Sequence, residues 1–273
     1  MPDSKLKPPA ARAGENPFIW PMLKSLPYFR GLLRAVEADF YGEFEMASPV
    51  LDLGCGDGHF ASLVFKKQVD VGIDPYFPSL REAKKRGAYR QLFNSTGANL
   101  PFPNGHFASG FSNSVLEHIP HLQPVLNETA RVLKPGAVFL FCIPNHRWQE
   151  SLSVGRFLRR IGFKRLANAY VRFFTRISRH ANMLSPEEWQ ARLDEAGFTI
   201  ERYWHYFPPA ALHALEWGHY FGLPSWVARA LTGRWILAPV RWNLALTERL
   251  MRRHAHGAAH PQGTYTWYVA RRK

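Results

Sequence analysis

The chemistry-bearing residues gather in the first half of the chain. After the apolar run of "PVLDLGCGDGHFASLVFKK", glycines occupy alternate positions, Gly54, Gly56 and Gly58, with an acid, Asp52, just before them. A turn without side chains lets backbone N–H groups approach a ligand closely. The spacing is G-x-G-x-G. A dinucleotide-binding turn would place its third glycine at position 59, which is His59, so the pattern argues against a nicotinamide dehydrogenase. Asp74 ends the next apolar run, "VDVGID", 20 residues beyond Gly54. A carboxylate there can accept hydrogen bonds from both hydroxyls of a ribose. His118 and His121 follow a further apolar run, and His146 follows another. A histidine in such a loop can act as a base near neutral pH, and it can equally tie the loop down through a hydrogen bond.

The elements that must position these residues alternate between two periods. "PVLDLG", "VDVGID", "YRQLF", "FASGFSNS" and "AVFLFCIP" read as strands. "HFASLVFKK", "SLREAKKRG" and "QPVLNETARVLKPG" read as helices, the last closed by Pro135 and Gly136. "SPEEWQARLDEAGF" opens on a Ser185 cap with Pro186 at its first position. "TIERYWHYF" and "TYTWYVARR" are late strands that could pair. Strands alternating with helices predict a doubly covered α/β sheet, with ligands at the carboxyl ends of its strands. A helix after Pro27 carries Phe29, Leu32, Leu33, Val36 and Phe40 on one face.

The quoted runs, with "ANLPFPNGHF", "NSVLEHI" and "RVLKPGAVFLFCIP", make the stretch from Val50 to Pro144 resemble the class I S-adenosylmethionine-dependent methyltransferases, in the branch acting on small molecules. It covers about a third of the chain, and the motifs together are specific where each alone is not. The resemblance implies a Rossmann-like seven-stranded sheet with its last strand antiparallel, and S-adenosyl-L-methionine as cofactor. It implies that Gly54, Gly56 and Gly58 border the methionine part of the cofactor, with Asp52 near its amine. Asp74 would hold the ribose, Pro75 or Tyr76 would pack on the adenine, and Thr96, Gly97 and Ala98 would line its edge. Asn113 would offer its backbone carbonyl to the amine. The family often has an acid where this chain has Thr96, and an Asp where it has Ala108. His118 and His121 are the candidate catalytic residues, followed by His146; no metal ligands are expected.

Composition adds the rest. The chain has 273 residues and a net charge of +14. Thirteen of those charges fall in two stretches: 151–183, with eight Arg or Lys and no acid, and 225–256, with six Arg and one Glu. The first is amphipathic, with Val154, Phe157, Leu158 and Ile161 in one stripe and Leu166, Tyr170, Phe173 and Ile177 in a second. Two readings stay open for these stretches. The apolar stripes pack on the body and leave solvated arginines, or a basic lid meets an anionic acceptor or membrane headgroups. Nucleic acid is disfavoured, because no RNA-binding module is present.

The two cysteines, Cys55 and Cys142, suggest a reducing compartment. The polar start of the chain has no secretory h-region. No stretch supplies the roughly 20 apolar residues of a membrane span. The organisation expected is a disordered tail at 1–17 and one methyltransferase domain over 18–273. That domain would hold an N-terminal helical segment at 18–45, a basic amphipathic insertion at 151–183 and a Trp-rich helical insertion at 208–263. The expected function is methyl transfer to a small-molecule or lipid-linked acceptor, by a cytoplasmic protein that can sit at the inner face of a membrane. The alternative is a non-catalytic module with this fold that binds anionic membranes.

Overall fold

The computed structural model describes residues 15–255 and 257–273. Residues 1–14 of the expected tail lie outside them. Asn16 already belongs to the body: it is buried, and its side-chain amide donates to the carbonyls of Ala35 and Ala255 at 2.9 and 2.8 Å.

Seven strands form one sheet in the order β3-β2-β1-β4-β5-β7-β6. They are β1 (Val50–Leu53), β2 (Val69–Asp74), β3 (Tyr89–Asn94), β4 (Phe107–Asn113), β5 (Leu133–Pro144), β6 (Phe198–Tyr206) and β7 (Tyr265–Arg272). β1 to β5 pair in parallel, and β7 runs antiparallel to both β5 and β6. The late strands therefore pair as the sequence suggested, although 58 residues separate them.

Parallel strands must be covered on both faces, and alternation along each strand supplies both. Leu51 and Leu53 of β1, with Phe139, Phe141 and Ile143 of β5, face α5 (Leu122–Val132) and α8 (Pro186–Ala196). Val50, Leu140 and Cys142 face the other way, toward α2 (Tyr28–Tyr41). There Phe40 and Tyr41 meet Trp267 edge-on, with ring centroids 5.3 and 4.7 Å apart. α1 (Ile19–Leu23) packs on α2, while α3 (His59–Val64) and α4 (Phe77–Arg86) complete the cover near β1 to β3.

One expected stop is displaced. α5 ends at Val132 and β5 begins at Leu133, so Pro135 and Gly136 lie inside β5. Leu133 pairs with Phe107 and Val138 with Ser109, which makes the Pro-Gly pair part of a bulge.

Two helical additions leave this frame. α6 (Ser153–Arg160) and α7 (Lys164–Ser178) follow β5, and α9 (Pro209–Phe221), α10 (Leu223–Thr232) and α11 (Arg241–Arg252) separate β6 from β7. Glu216 of α9 joins the two. It is fully buried, and it accepts from the backbone N–H groups of Ser153 and Val154 and from the Tyr170 hydroxyl at 2.6, 3.2 and 2.6 Å. The carboxylate thus caps the start of α6, where the helix dipole favours an anion.

In α7 the stripe read from the sequence is the one that stays largely exposed. Ala167, Val171 and Phe174 face inward, whereas Leu166, Phe173 and Ile177 are exposed. The Tyr170–Glu216 bond and the stack of Phe174 on Trp148 (5.7 Å between centroids) fix that rotation. No described helix is long and apolar enough to cross a membrane.

Candidate active site

The glycine turn joins β1 to α3, with φ of +84° at Gly54, +55° at Gly56 and +70° at Gly58. Such backbone favours glycine, but the three face different neighbours. A Cβ on Gly54 would lie 2.4 Å from a Val115 methyl, and one on Gly58 would lie 3.1 Å from Ala83. A Cβ on Gly56 would meet nothing within 4 Å. Gly54 and Gly58 therefore admit neighbouring side chains, and Gly56 leaves bare backbone for a ligand.

Asp74 braces this turn. Its carboxylate accepts from Gly56 N–H at 3.0 Å and from Tyr76 N–H at 2.8 Å. Each oxygen retains capacity for a further hydrogen bond, which a ribose diol could use. Asn94 fixes the strand end by donating to the carbonyls of Asp74 and Pro75. Tyr76 and Phe77 follow, 63% and 60% exposed. Among the described residues they are the exposed large apolar side chains that lie outside the helical additions. Bare rings beside a carboxylate with spare acceptor capacity suit a planar base. Thr96, Gly97 and Ala98 follow β3, with Gly97 packed so closely on Val125 that a Cβ would lie 2.8 Å away. These residues fit the bound donor.

Asp52 is buried beneath the turn, and the Tyr89 hydroxyl donates to it at 2.6 Å. Burial pushes its carboxyl up to about 7; the Tyr89 bond opposes this and the nearby Asp74 adds to it. A cationic amine placed there would draw out the proton.

Asn113, at the end of β4, belongs to a network that sequence reading missed. Its carbonyl accepts from Arg34 Nη1 at 3.5 Å, and its amide donates to Glu37 at 2.7 Å. Glu37 is fully buried and also accepts from Arg34 at 2.6 Å, Ser114 at 2.7 Å and Tyr206 at 3.2 Å. Ser114 has φ +51°, strained for a residue with a side chain, and its bond to Glu37 helps hold it there. The available signal was a charged pair, Arg34 and Glu37, three residues apart in a helix of which Leu32, Leu33, Val36 and Phe40 are buried.

A short turn at Leu116–His118, just after the Val115 that packs on Gly54, carries the catalytic candidate His118. His118 Nδ1 lies 3.0 Å from the Arg179 carbonyl, so this nitrogen carries the proton and Nε2 keeps its lone pair. Burial lowers the His118 pKa. Nε2 lies 3.8 Å from Glu117 Oε1. Glu117 is buried, its Oε2 has no hydrogen-bond partner among the described residues, and burial pushes its carboxyl up to about 8.

The chain after α7 straps this turn. Ala181 and Asn182 N–H donate to the Glu117 carbonyl at 2.6 and 3.1 Å. The Asn182 amide reaches Leu116 and Ile119. His180 stands 5.6 Å from the His118 ring, and burial lowers its pKa to about 3. The structure thus brings Glu117, His118 and His180 together. His121 is exposed at the start of α5, and His146 is exposed beyond β5, 6.4 Å from the His205 ring. Among the described residues no group of three or more His, Cys, Asp or Glu could hold a metal ion. An open depression of about 370 Å³ over α3 is lined by His59, Arg86 and Pro239 and by none of the expected ligand residues.

Residues 25–203 match the family model described as a methyltransferase domain. The chain is similar to malonyl-[acyl-carrier protein] O-methyltransferase of Legionella pneumophila, 33% identical over 98 residues, 34% of each protein. The match thus spans about a third of that relative's length. It is also similar to trans-aconitate 2-methyltransferase of Methylobacterium nodulans, 29% identical over 198 residues, 70% of this chain and 71% of the relative. Among solved structures, it is similar to an S-adenosylmethionine-dependent methyltransferase from Thermotoga maritima, with TM-score 0.55 and 15% identity, covering 93% of this chain and 100% of that one. Geranyl diphosphate methyltransferase in complex with S-adenosylmethionine gives TM-score 0.52 and 15% identity, covering 90% of each chain. At these identities the structural likeness shows the fold. The chain belongs to the S-adenosylmethionine-dependent methyltransferase family, with S-adenosylmethionine as its methyl donor.

Proposed function

We propose that the protein transfers a methyl group from S-adenosylmethionine to a small-molecule or lipid-linked acceptor by in-line displacement. The observation that carries this reading is Asp74, which braces the bare backbone of Gly56 on one side and the exposed Tyr76 on the other. When bound, the donor supplies a sulfonium methyl; a bond forms from the acceptor atom to that carbon as the C–S electron pair withdraws to sulfur. Asp74 holds the ribose, and Pro75, Tyr76 and the Thr96–Ala98 turn hold the base. Asp52 and the Asn113 carbonyl receive the amine. Arg34, compensated on one edge by Glu37, has guanidinium N–H groups left for the donor's carboxylate. Gly54, Gly56 and Gly58 shape the turn around the donor's tail.

Aligning the acceptor with the methyl supplies much of the acceleration, and a base is needed only where the acceptor must lose a proton. His118 Nε2 would take it, a reading supported by the Arg179 carbonyl that orients the ring through Nδ1. His121 stands second, as the other histidine at the entry to α5. One relative is named malonyl-[acyl-carrier protein] O-methyltransferase and another trans-aconitate 2-methyltransferase, both acting on acids. Their likeness favours an oxygen acceptor here, which when already ionised needs no base.

Methyl-labelled S-adenosylmethionine with a lipid extract and a small-acid pool tests the reading. Label in product with release of S-adenosylhomocysteine is the predicted result. His118→Gln is expected to slow turnover on a hydroxyl acceptor about a hundredfold, with donor affinity retained. No labelled product from any pool would favour the non-catalytic membrane module.

A further inference from the structure

The additions expose apolar side chains that the fold could have buried. In α11, Leu244, Glu248 and Met251 face the body. The opposite face carries Trp242 and Leu246, 79% and 69% exposed, with Arg249 and Arg253 on the same side at about 100° per residue. In α7, Leu166, Phe173 and Ile177 form one exposed stripe, flanked by Arg165, Arg172 and Arg176 on the side away from the buried face. Phe157 and Ile161 of α6 are exposed as well. Trp217 of α9 donates to Ser153 at the start of α6 and stacks on the exposed Phe221. α10 follows with Trp226, Val227 and Leu231 exposed. Glu216 welds α9 to α6 and α7, so the exposed side chains of these three helices sit on one connected body, while α11 packs on α1 and α2.

We propose that this helical surface seats on an anionic lipid bilayer and that the acceptor is an amphiphile taken from that bilayer. The acceptor half of the proposal rests on the methyl-transfer reading above; the docking half does not. Apolar side chains enter the acyl boundary while the adjoining arginines meet lipid phosphates. Charge chooses this occupant over a second copy of the chain, because self-association would press a stretch with eight cations and no acid near its own likeness. Exposed leucine and isoleucine have no use against nucleic acid, which is held by phosphate contacts and base stacking. The surface also reaches the site: the carbonyl of Arg179, which caps α7, is the partner of His118. A bilayer on α7 would lie beside the acceptor turn.

The test is cosedimentation of the full chain with vesicles of phosphatidylcholine and phosphatidylglycerol, against phosphatidylcholine alone. Binding that requires phosphatidylglycerol and weakens with salt is expected. Arg165→Glu, Arg172→Glu and Arg176→Glu together should weaken it by about a hundredfold or more. Phe173→Ser with Trp242→Ser should weaken it at least about tenfold, because each removes a buried ring. Donor binding should survive in both variants, which shows that they fold. No binding by the wild type, or equal binding by the apolar variant, overturns the proposal. Capture of a purified acidic carrier protein without vesicle binding overturns it in favour of a protein partner. Vesicle binding by a wild type that binds no donor would keep the docking surface and refute the methyl-transfer reading instead.

Discussion

Around the donor turn, charged groups are buried and answered; on α7, exposed arginines stand beside apolar side chains that are exposed among the described residues. Glu37 lies in the interior and meets Arg34, Asn113, Ser114 and Tyr206. Arg172 and Arg176 lie outside, next to exposed Phe173 and Ile177. The first arrangement fixes geometry for one small molecule. The second leaves large apolar side chains exposed beside cations. The Glu37 network closes on partners within the chain, whereas the additions carry exposed apolar side chains.

Glu37→Ala should break this comparison most visibly. It strands the Arg34 charge in the interior and removes acceptors for three other donors, so a loss of roughly 3–5 kcal/mol is expected in urea unfolding. Glu37→Gln should cost less, since it keeps one oxygen acceptor. A loss below about 1 kcal/mol for the alanine variant would mean that the donor half is not organised around this carboxylate.

The Asp52 carboxyl gives a pH signature. Its pKa in the folded protein is pushed up to about 7 from an ordinary 3.8. Below about 7 the free protein holds a proton there, and an incoming ammonium must displace it. Donor affinity should rise as pH goes from about 6 to about 8 and level off above, with calorimetry showing proton release in that window. The same shift makes the free protein lose stability as pH rises between the two values, since only the unfolded carboxyl ionises early. Asp52→Asn should flatten both profiles; a wild-type affinity that is level across the window would contradict the amine's placement beside Asp52.

The smallest effect belongs to the additions. Trp242→Ser and Leu246→Ser remove two large side chains already exposed, so urea unfolding should shift by no more than about 0.5 kcal/mol. A loss of several kcal/mol would show that these side chains are packed in solution, and would close the contrast.

What the sequence made legible follows from locality. The glycine turn, Asp74, the strand series and the Ser185 cap each depend on neighbours a few residues away, and the cap forms with both its bonds to Glu188. Glu37 escaped because its partners Asn113 and Tyr206 are 76 and 169 residues distant. The charge in α2 becomes meaningful only once β4 ends beside it. For α7 the sequence leaves a packed stripe and a lid both open, because two of its faces are apolar. Leu166, Phe173 and Ile177 make the stronger stripe, yet the smaller Ala167 and Val171 pack closely, and Trp148 receives Phe174. The Pro135-Gly136 pair was taken as a helix stop because a bulge in β5 leaves the same local signature.

The central claim is that the turn braced by Asp74 binds S-adenosylmethionine. Calorimetric titration of S-adenosylmethionine and S-adenosylhomocysteine into the wild type and Asp74→Ala tests it directly. The account predicts micromolar-range binding that the substitution weakens by about tenfold to a hundredfold, as expected for losing charged hydrogen bonds to a ribose diol. Equal binding by Asp74→Ala, or none by wild type freed of co-purified ligand, would contradict it.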